Sequence, residues 1–506
     1  MRRGIIVLWR HATAIFIAFY QIFEKMTETA NTADTIIVGA GISGLALASF
    51  LRRECADASV LVLEAGSTAG GAIRSFQGDG YLTEWAPHGF LDNGAESDEL
   101  VDMAGLRGEL LQAPLKEYVR YLCIDGRLQL VPQTPPKIMM APLMGWGDKI
   151  GVVARDIFRP YFDGEPSVAD WVRRRFGAAM LPFADAVYTG TYAGDIDELR
   201  IDGTMPALRA LEKEHGSVIF SILARIREKR KNAAAENNAS KKRGMPIMQN
   251  FRGGMERWPL ALTESLQAAG VLHLSTSVQT VQREGEGESE GWLLHTTQGD
   301  YHCRELALAL PINAALALLR ASAGLPVPEI PVPGVAEARL ANVALGFGPE
   351  AQIPFGFGYL TSKKEGRFAL GALFSSHMFP GRTPEGGQLL EALVGGRRNP
   401  DYLDLDDEEI IRRTLADLRG LMELPAEPRF AKVLRCVATI PQADGAYLQL
   451  LRWREAAGQA CPRLHLLGFG WRGIGINEMA REAKALALKL LGRAEAESNV
   501  LKGVYV

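Results

Sequence analysis

Three glycines closing an apolar run set the first chemical expectation. In "TIIVGAGISGLALASFLRR" (35–53), Ile36–Val38 reads as a buried strand, and Gly39, Gly41 and Gly44 form GxGxxG. A helix is expected from Ser43 to Arg53. The first glycine permits a tight turn, the second lets backbone approach a pyrophosphate, and the third lets helix and strand pack closely. The N–H groups of the first helical turn, around Ile42 and Ser43, then face the phosphates. A second apolar run, Val60–Leu63, ends at Glu64, with Ala65 next. That places an acid about twenty residues beyond the last glycine, where one binds a ribose. Its charge would repel a 2′-phosphate, which disfavours NADP. These residues specify a dinucleotide but leave open whether a nicotinamide visits or a flavin stays.

The elements that must position this site belong to a chain of 506 residues, enough for two or three domains. Apolar residues make up 47 % and charged residues 23 %, with a formal charge of −3, so no basic footprint for nucleic acid is present. The five cysteines (55, 123, 303, 436, 461) show no metal-ligand spacing and no disulfide framework. Neither a metal site nor an oxidising compartment is expected. The stretch 4–23 is apolar but interrupted by Arg10 and His11. It reads as a surface anchor, a signal-like leader, or translated upstream sequence with the start at Met26, and the last is preferred. Residues 276–311 read as a meander of short strands ending in Leu306–Leu310, and 231–244 as a polar insert.

A family resemblance decides the nucleotide. "EAGSTAGGAIRS" (64–75) resembles the second glycine motif of flavin amine oxidases and protoporphyrinogen oxidases. The resemblance places Gly70, Gly71, Ala72 and Arg74 along the FAD diphosphate. Near the C-terminus, "LHLLGFGWRGIGINEMAREAKALALKLL" (464–491) reads as strand, glycine turn and helix from about Ile476. By the same resemblance Gly473, Gly475 and Ile476 meet the flavin, with a helix N-terminus beside its pyrimidine ring, and Val278 touches the adenine through its backbone. The segments 211–231, 251–255, 356–360, 370–384, 393–400 and 438–442 continue the match in order, so nearly all of 35–492 is similar to the protoporphyrinogen oxidase family.

The resemblance implies an α/β fold: a discontinuous Rossmann-like FAD-binding domain (33–90, 248–312, 460–495), a mixed-sheet substrate domain (211–247, 313–459) and a helical membrane-associated region (91–210) that includes the 116–132 hairpin. Residues 1–32 fall outside these as leader or mis-assigned start. It also implies a porphyrinogen pocket with Gly190, Leu360, Leu373 and Leu393, each of which also suits ordinary core packing. Arg120 would hold a propionate, opening a hairpin that turns at Asp125-Gly126; its planar donors suit a carboxylate. Ala86-Pro87-His88 departs from the family's Gly-Pro-Asn near the flavin, so His88 stands as a polar filler or a proton acceptor, with filler preferred. "ADGAY" (443–447) replaces a family Gly-His, and no catalytic residue is assigned there. No carboxylate–histidine pair in the sequence demands a dedicated base.

Residues 136–162 alternate methionines, Leu143 and Trp146 with Lys137, Lys149, Arg155 and Arg159. Periodicity fits either an interfacial helix with basic residues at headgroup level or a core-facing helix pair. The resemblance favours a monotopic protein on the cytoplasmic side of a membrane, with ferrochelatase or a second copy as protein partner. The implied reaction is six-electron oxidation of protoporphyrinogen IX, by hydride transfer from bridge carbons to flavin N5, with O2 as acceptor. Coproporphyrinogen III is the alternative substrate, and a flavin amine oxidase or carotenoid desaturase the more distant one.

Overall fold

The computed structural model describes residues 31–113, 119–132, 137, 140–221, 224, 227, 246–285, 287 and 290–493. The readings of 4–23 and of the insert 231–244 lie outside the described residues.

Ile36, Ile37 and Val38 are buried because β1 (Thr32–Val38) runs through the middle of a seven-stranded sheet. Parallel neighbours flank it, β2 (Val60–Leu63) on one side and β13 (Gly299–Ala309) on the other. The sheet continues through β10 (Leu272–His273) beyond β2, and through antiparallel β12 (Gly291–Thr296) and β11 (Val278–Glu284) beyond β13. β21 (Leu464–Leu467) pairs in parallel with the end of β13. Strands covered on both faces lose polar alternation, which is why these sequences read as continuous apolar runs.

β13 departs from the expected short strands, being eleven residues long. Its first half pairs with β12 and alternates between exposed and buried, whereas Leu306–Ala309 is buried between β1 and β21. The change of pattern halfway along disguised one strand as two.

Helix α1 (Ile42–Glu54) is buried from Ile42 through Leu51, and α5 (Ile476–Leu490) packs beside it through Met479, Ala480, Ala483 and Ala487. Each follows the C-terminal end of a parallel strand, β1 and β21 respectively. Both helix N-termini therefore open at the same edge of the sheet.

A second seven-stranded sheet has the spatial order β19 (Phe430–Arg435), β15 (Leu340–Phe347), β18 (Gln388–Gly395), β17 (Ala369–Leu373), β16 (Gly358–Thr361), β7 (Arg120–Ile124), β8 (Arg127–Val131). β7 and β8 form the expected hairpin. Asp125 (φ 49°) and Gly126 (φ 71°) both take left-handed backbone, the turn whose twist matches paired strands. By hydrogen bonding the hairpin belongs to this sheet, with β7 parallel to β16. One face of the sheet packs into a core with Val343, Leu345, Ala392, Val394, Ile410 and Leu418. Short pairings complete the strands: β3 (Ser75–Gly78) with β4 (Tyr81–Glu84), β9 (Met248–Phe251) with β5 (Phe90–Leu91) and β6 (Leu110–Gln112), and β14 (Glu337–Ala338) with β20 (Ile440–Pro441).

Helix α2 (Trp146–Phe158) buries Lys149 and Asp156, while Asp148 and Arg155 are exposed. Lys149, expected at a headgroup surface, is buried, donating to the Ala141 carbonyl at 2.8 Å with its ammonium 4.5 Å from the Trp146 ring centre. Asp156 is fully buried and accepts from the Ser217 hydroxyl (2.5 Å) and the N–H groups of Val218 (3.1 Å) and Ile219 (2.8 Å). It thereby caps the helical turns that resume at 218, after α4 (Pro206–His215) ends on Gly216 at φ 74°. Outward, Trp146, Ile150, Ile157 and Phe158 are exposed, Phe158 at 81 %. Among the described residues no helix is long and apolar enough to cross a membrane.

Candidate active site

The dinucleotide cradle is built from two glycine loops held face to face. Gly39 takes φ 102°, and a Cβ there would lie 2.7 Å from the Ala309 carbonyl oxygen. A Cβ on Gly44 would lie 1.9 Å from the Gly39 oxygen, so helix and strand meet only because neither residue has a side chain. Gly41 is different: a Cβ there meets nothing within 4 Å. It is the N-cap of α1, with no side-chain cap and no acidic residue in the first turn, so helix N–H groups face that open space. This is the arrangement a diphosphate requires. The second loop docks against it through the Gly70 N–H, which donates to the Ala40 carbonyl at 2.8 Å.

Glu64 clamps both loops. One carboxylate oxygen accepts from the Ala40 N–H at 2.7 Å and the other from the Gly66 N–H at 2.8 Å. Each keeps a lone pair for a ribose hydroxyl. Ala65 and Gly71 are exposed beside this clamp, with Ala72 and Arg74 half-buried further along; the Arg74 carbonyl accepts from the Trp85 N–H. Val278 begins β11 two residues after Thr276, whose N–H bonds the Glu64 carbonyl. At the far end of the chain, Gly473 takes φ 145° and Gly475 is the N-cap of α5, again without a side-chain cap. Ile476 packs into the core that holds α1. Asn477 locks this terminus to residues 91–97, donating to the Leu91 carbonyl (2.8 Å) and accepting from the Ser97 hydroxyl (2.7 Å).

The second sheet gathers the remaining expected residues on one face. Register partners run in a row from Arg120 on β7 to Gly358, Leu373 and Glu391, then Ala344 on β15. The next row on that face is Leu122, Leu360, Gly371, Leu393 and Asn342. Residues two apart on a strand share a side, so Arg120, Leu360, Leu373 and Leu393 project together. Three strand spacings separate Arg120 from Glu391, about 14 Å. Gly190 of α3 (Leu181–Tyr192) seals one part of this face; a Cβ there would lie 2.5 Å from the Leu360 side chain. The Arg120 guanidinium lies 5.4 Å from the centre of the Phe357 ring. Nearby cations are engaged by the chain's own carboxylates: Arg398 with Asp185 and Asp195, Lys363 with Asp195.

At the Glu391 end lies a buried polar cluster that the sequence did not reveal. His88 Nε2 stands 3.3 Å from Glu391 Oε1. The structure thus brings together a carboxylate–histidine pair that the sequence did not show. Glu391 also accepts from the Asn342 amide (2.9 Å), the Glu84 N–H (3.1 Å) and the hydroxyls of Thr83 and Ser375. Glu84 in turn accepts from Arg382 (2.8 Å), Asn250 (3.0 Å) and Ser75 (2.5 Å). Burial alone would raise the Glu391 carboxyl. The His88 charge and the converging donors reverse that and lower it to about 2. Burial likewise pulls His88 down, but the charge and hydrogen bond of Glu391, with the charge of Glu84, hold it above its ordinary value against the opposing Arg382. The only sequence signal for this cluster is polar residues at core-facing strand positions, Asn342 and Glu391 among them.

A fold with two glycine loops and two uncapped helix ends at one sheet edge, facing a second sheet, defines a class of flavoenzyme. The chain belongs to the flavin containing amine oxidoreductase family, which matches residues 42–471, and it is an FAD-dependent oxidoreductase. It is similar to the coproporphyrinogen III oxidase of Bacillus subtilis (strain 168), at 26 % identity over 89 % of this chain and 96 % of that protein. It is also similar to protoporphyrinogen oxidase 1, chloroplastic, of Arabidopsis thaliana, at 30 % identity over 78 % of this chain and 76 % of that one. Among solved structures, a protein of Exiguobacterium sp. 255-15 provisionally named as a protoporphyrinogen oxidase superposes with a TM-score of 0.70 at 20 % identity, covering 90 % of this chain and 98 % of that chain.

Proposed function

We propose that this protein oxidises a porphyrinogen, removing six electrons from protoporphyrinogen IX to give protoporphyrin IX, with dioxygen as final acceptor. The observation that carries the reading is the row from Arg120 through Gly358 and Leu373 to Glu391. It provides a carboxylate-binding cation at one end of an apolar face about 14 Å long. That span suits a macrocycle bearing propionates on one edge. Bound FAD supplies the two-electron acceptor. The chain supplies position: Arg120 pairs with a propionate, while Leu360, Leu373 and Leu393 cover the ring. Because Arg398 and Lys363 are tied to Asp185 and Asp195, the face favours a dicarboxylate over the four propionates of coproporphyrinogen III.

Helix α2 supports attachment to a membrane surface. Lys149 and Asp156 are buried, while Trp146, Ile150, Ile157 and Phe158 are exposed together with Arg155, a mixture of apolar and basic groups that suits a membrane interface. Such a face suits delivery of an oily substrate. Anaerobic stopped-flow mixing with both porphyrinogens tests the reaction: flavin bleaching faster with protoporphyrinogen IX is expected. Faster bleaching with coproporphyrinogen III overturns the substrate choice, and bleaching with neither overturns the reading. Vesicle co-sedimentation tests attachment, with Ile150→Asp/Phe158→Asp expected to release the protein.

A further inference from the structure

We infer that Glu391 is a positioning residue that keeps His88 doubly protonated, so that His88 serves the reaction site as a fixed cationic donor and not as a proton acceptor. The inference rests on the oxidase reading only for what the donor faces; the pair itself stands on geometry.

The groups around His88 come from four strands and one loop. Glu391 on β18 is 3.3 Å from its Nε2, and Asn342 on β15 is 3.4 Å from the same nitrogen. Asn250 on β9 donates to the His88 carbonyl at 2.9 Å and to Glu84 on β4 at 3.0 Å. Arg382, in the loop before β18, pairs with Glu84 at 2.8 Å. Glu84, Glu391 and Arg382 are all no more than 2 % exposed at the side chain. Two buried carboxylates and one guanidinium leave one negative charge over. Burying a carboxylate without a counter-ion is strongly unfavourable, and His88 is the group in contact that can supply the missing positive charge.

Glu391 cannot escape by taking up a proton. Its carboxylate already receives hydrogen bonds from Thr83, Ser375, Asn342 and the Glu84 N–H, all of which favour the ionised form. The imidazole therefore carries the proton that balances the cluster, and its raised affinity for that proton follows. Nε2 is committed to Glu391. Nδ1 has no partner among the described residues, and the ring keeps 10 % exposure, so Nδ1–H is the donor left for a ligand.

This decides between the two roles the sequence left open for His88. Each two-electron oxidation of a porphyrinogen bridge would remove the bridge C–H hydrogen with its electron pair, as hydride to bound FAD, and free one pyrrole N–H proton. An imidazolium has no lone pair to receive that proton, which therefore leaves to water. Glu391 is equally unfit as its acceptor, because the donors converging on Oε1, the Ser375 hydroxyl on Oε2 and the His88 charge all favour its ionised form.

The test uses FAD-loaded protein labelled with 15N at histidine, titrated from about pH 5.5 to 9, with H88N identifying the signal. The expected result is that His88 remains an imidazolium at pH 7 and releases its proton above the ordinary histidine value. In E391Q it loses the proton at least one pH unit lower, and E391D restores the wild-type behaviour. In the pH profile of kcat/KM with a porphyrinogen, E391Q gains an ionisation between about pH 6 and 8 that H88N/E391Q lacks. A neutral His88 at pH 7 in the wild type overturns the inference, as does an E391Q titration identical to wild type. If E391Q does not fold, the wild-type and E391D titrations carry the decision. Absence of porphyrinogen turnover would count against the oxidase reading alone, because the nitrogen shifts are read without substrate.

Discussion

Gly41 and Gly44 are three residues apart on the same turn, yet replacing each by alanine should damage different things. At Gly44 the new methyl would sit 1.9 Å from the Gly39 carbonyl oxygen and 3.3 Å from the Ala309 methyl. Helix α1 is buried along most of its length and cannot tilt away without disturbing its contacts with α5. Overpacking of this kind costs about 1–3 kcal/mol, and backbone contact puts Gly44→Ala at the upper end. A loss of about 3 kcal/mol corresponds to a Tm drop of roughly 6–12 °C in a domain of 150–250 residues, with or without FAD. At Gly41 the methyl meets no protein atom within 4 Å, and the backbone (φ −71°, ψ 176°) is open to alanine. The protein should lose only the N-cap difference between glycine and alanine, about 0.5–1 kcal/mol. The cofactor should lose much more, since the methyl enters the space over the helix N–H groups. Forfeiting one charge-assisted hydrogen bond to a phosphate, about 1.5–3 kcal/mol, weakens FAD binding by about 10- to 150-fold. Calorimetric titration of FAD into deflavinated protein, paired with thermal denaturation of the same preparations, separates the two effects. FAD affinity within twofold of wild type for Gly41→Ala would refute the placement of the diphosphate over that residue. An unchanged Tm for Gly44→Ala would refute the packing argument.

Three further outcomes are expected. Arg120→Met keeps the stem length but loses the planar donors, so KM for a dicarboxylate porphyrinogen should rise by about 10- to 100-fold with kcat changed less, while its dimethyl ester should not distinguish the two proteins in steady-state kinetics. Thermal stability should be highest between about pH 4.5 and 6.5, judged by scanning calorimetry. The raised His88 contributes fully below its unfolded value of 6.5 and loses that contribution as pH climbs through its folded value. The depressed Glu391 contributes fully above 4.5 and loses its contribution as pH falls toward about 2; H88N should flatten the alkaline limb. Finally, Arg382→Met should destabilise by about 3–5 kcal/mol in denaturant unfolding because it strands buried Glu84. Adding Glu84→Gln should recover part of that loss, and a single substitution as harmless as the double would contradict a buried ion pair.

Where chemistry depends on near neighbours in the chain, it could be read directly. The GxGxxG turn needs only a strand, a turn and a helix in succession, and glycine's missing side chain is a property of each residue; the structure places β1, α1, β2 and Glu64 accordingly. The Asp125-Gly126 turn and the start of α5 at Ile476 are legible for the same reason, since turn and cap conformations are set within a few residues. β13 shows the limit. Its two halves face different surroundings, so its pattern changes midway although its backbone does not.

Tertiary structure alone decided the rest. Arg120, Leu360, Leu373 and Leu393 come from four neighbouring strands, of which β7 is far from its partner β16 in the chain, and a shift of one residue in any register would turn a member to the other face. Helix α2 has ordinary amphipathic spacing, and only the partners waiting for Lys149 and Asp156 drew these two charged residues inside while Trp146 and Phe158 stayed exposed. His88 and Glu391 carry no mutual signal in sequence. Their protonation is set by a charge balance that exists only once β4, β9, β15 and β18 have closed around them and removed the water that would otherwise have screened it.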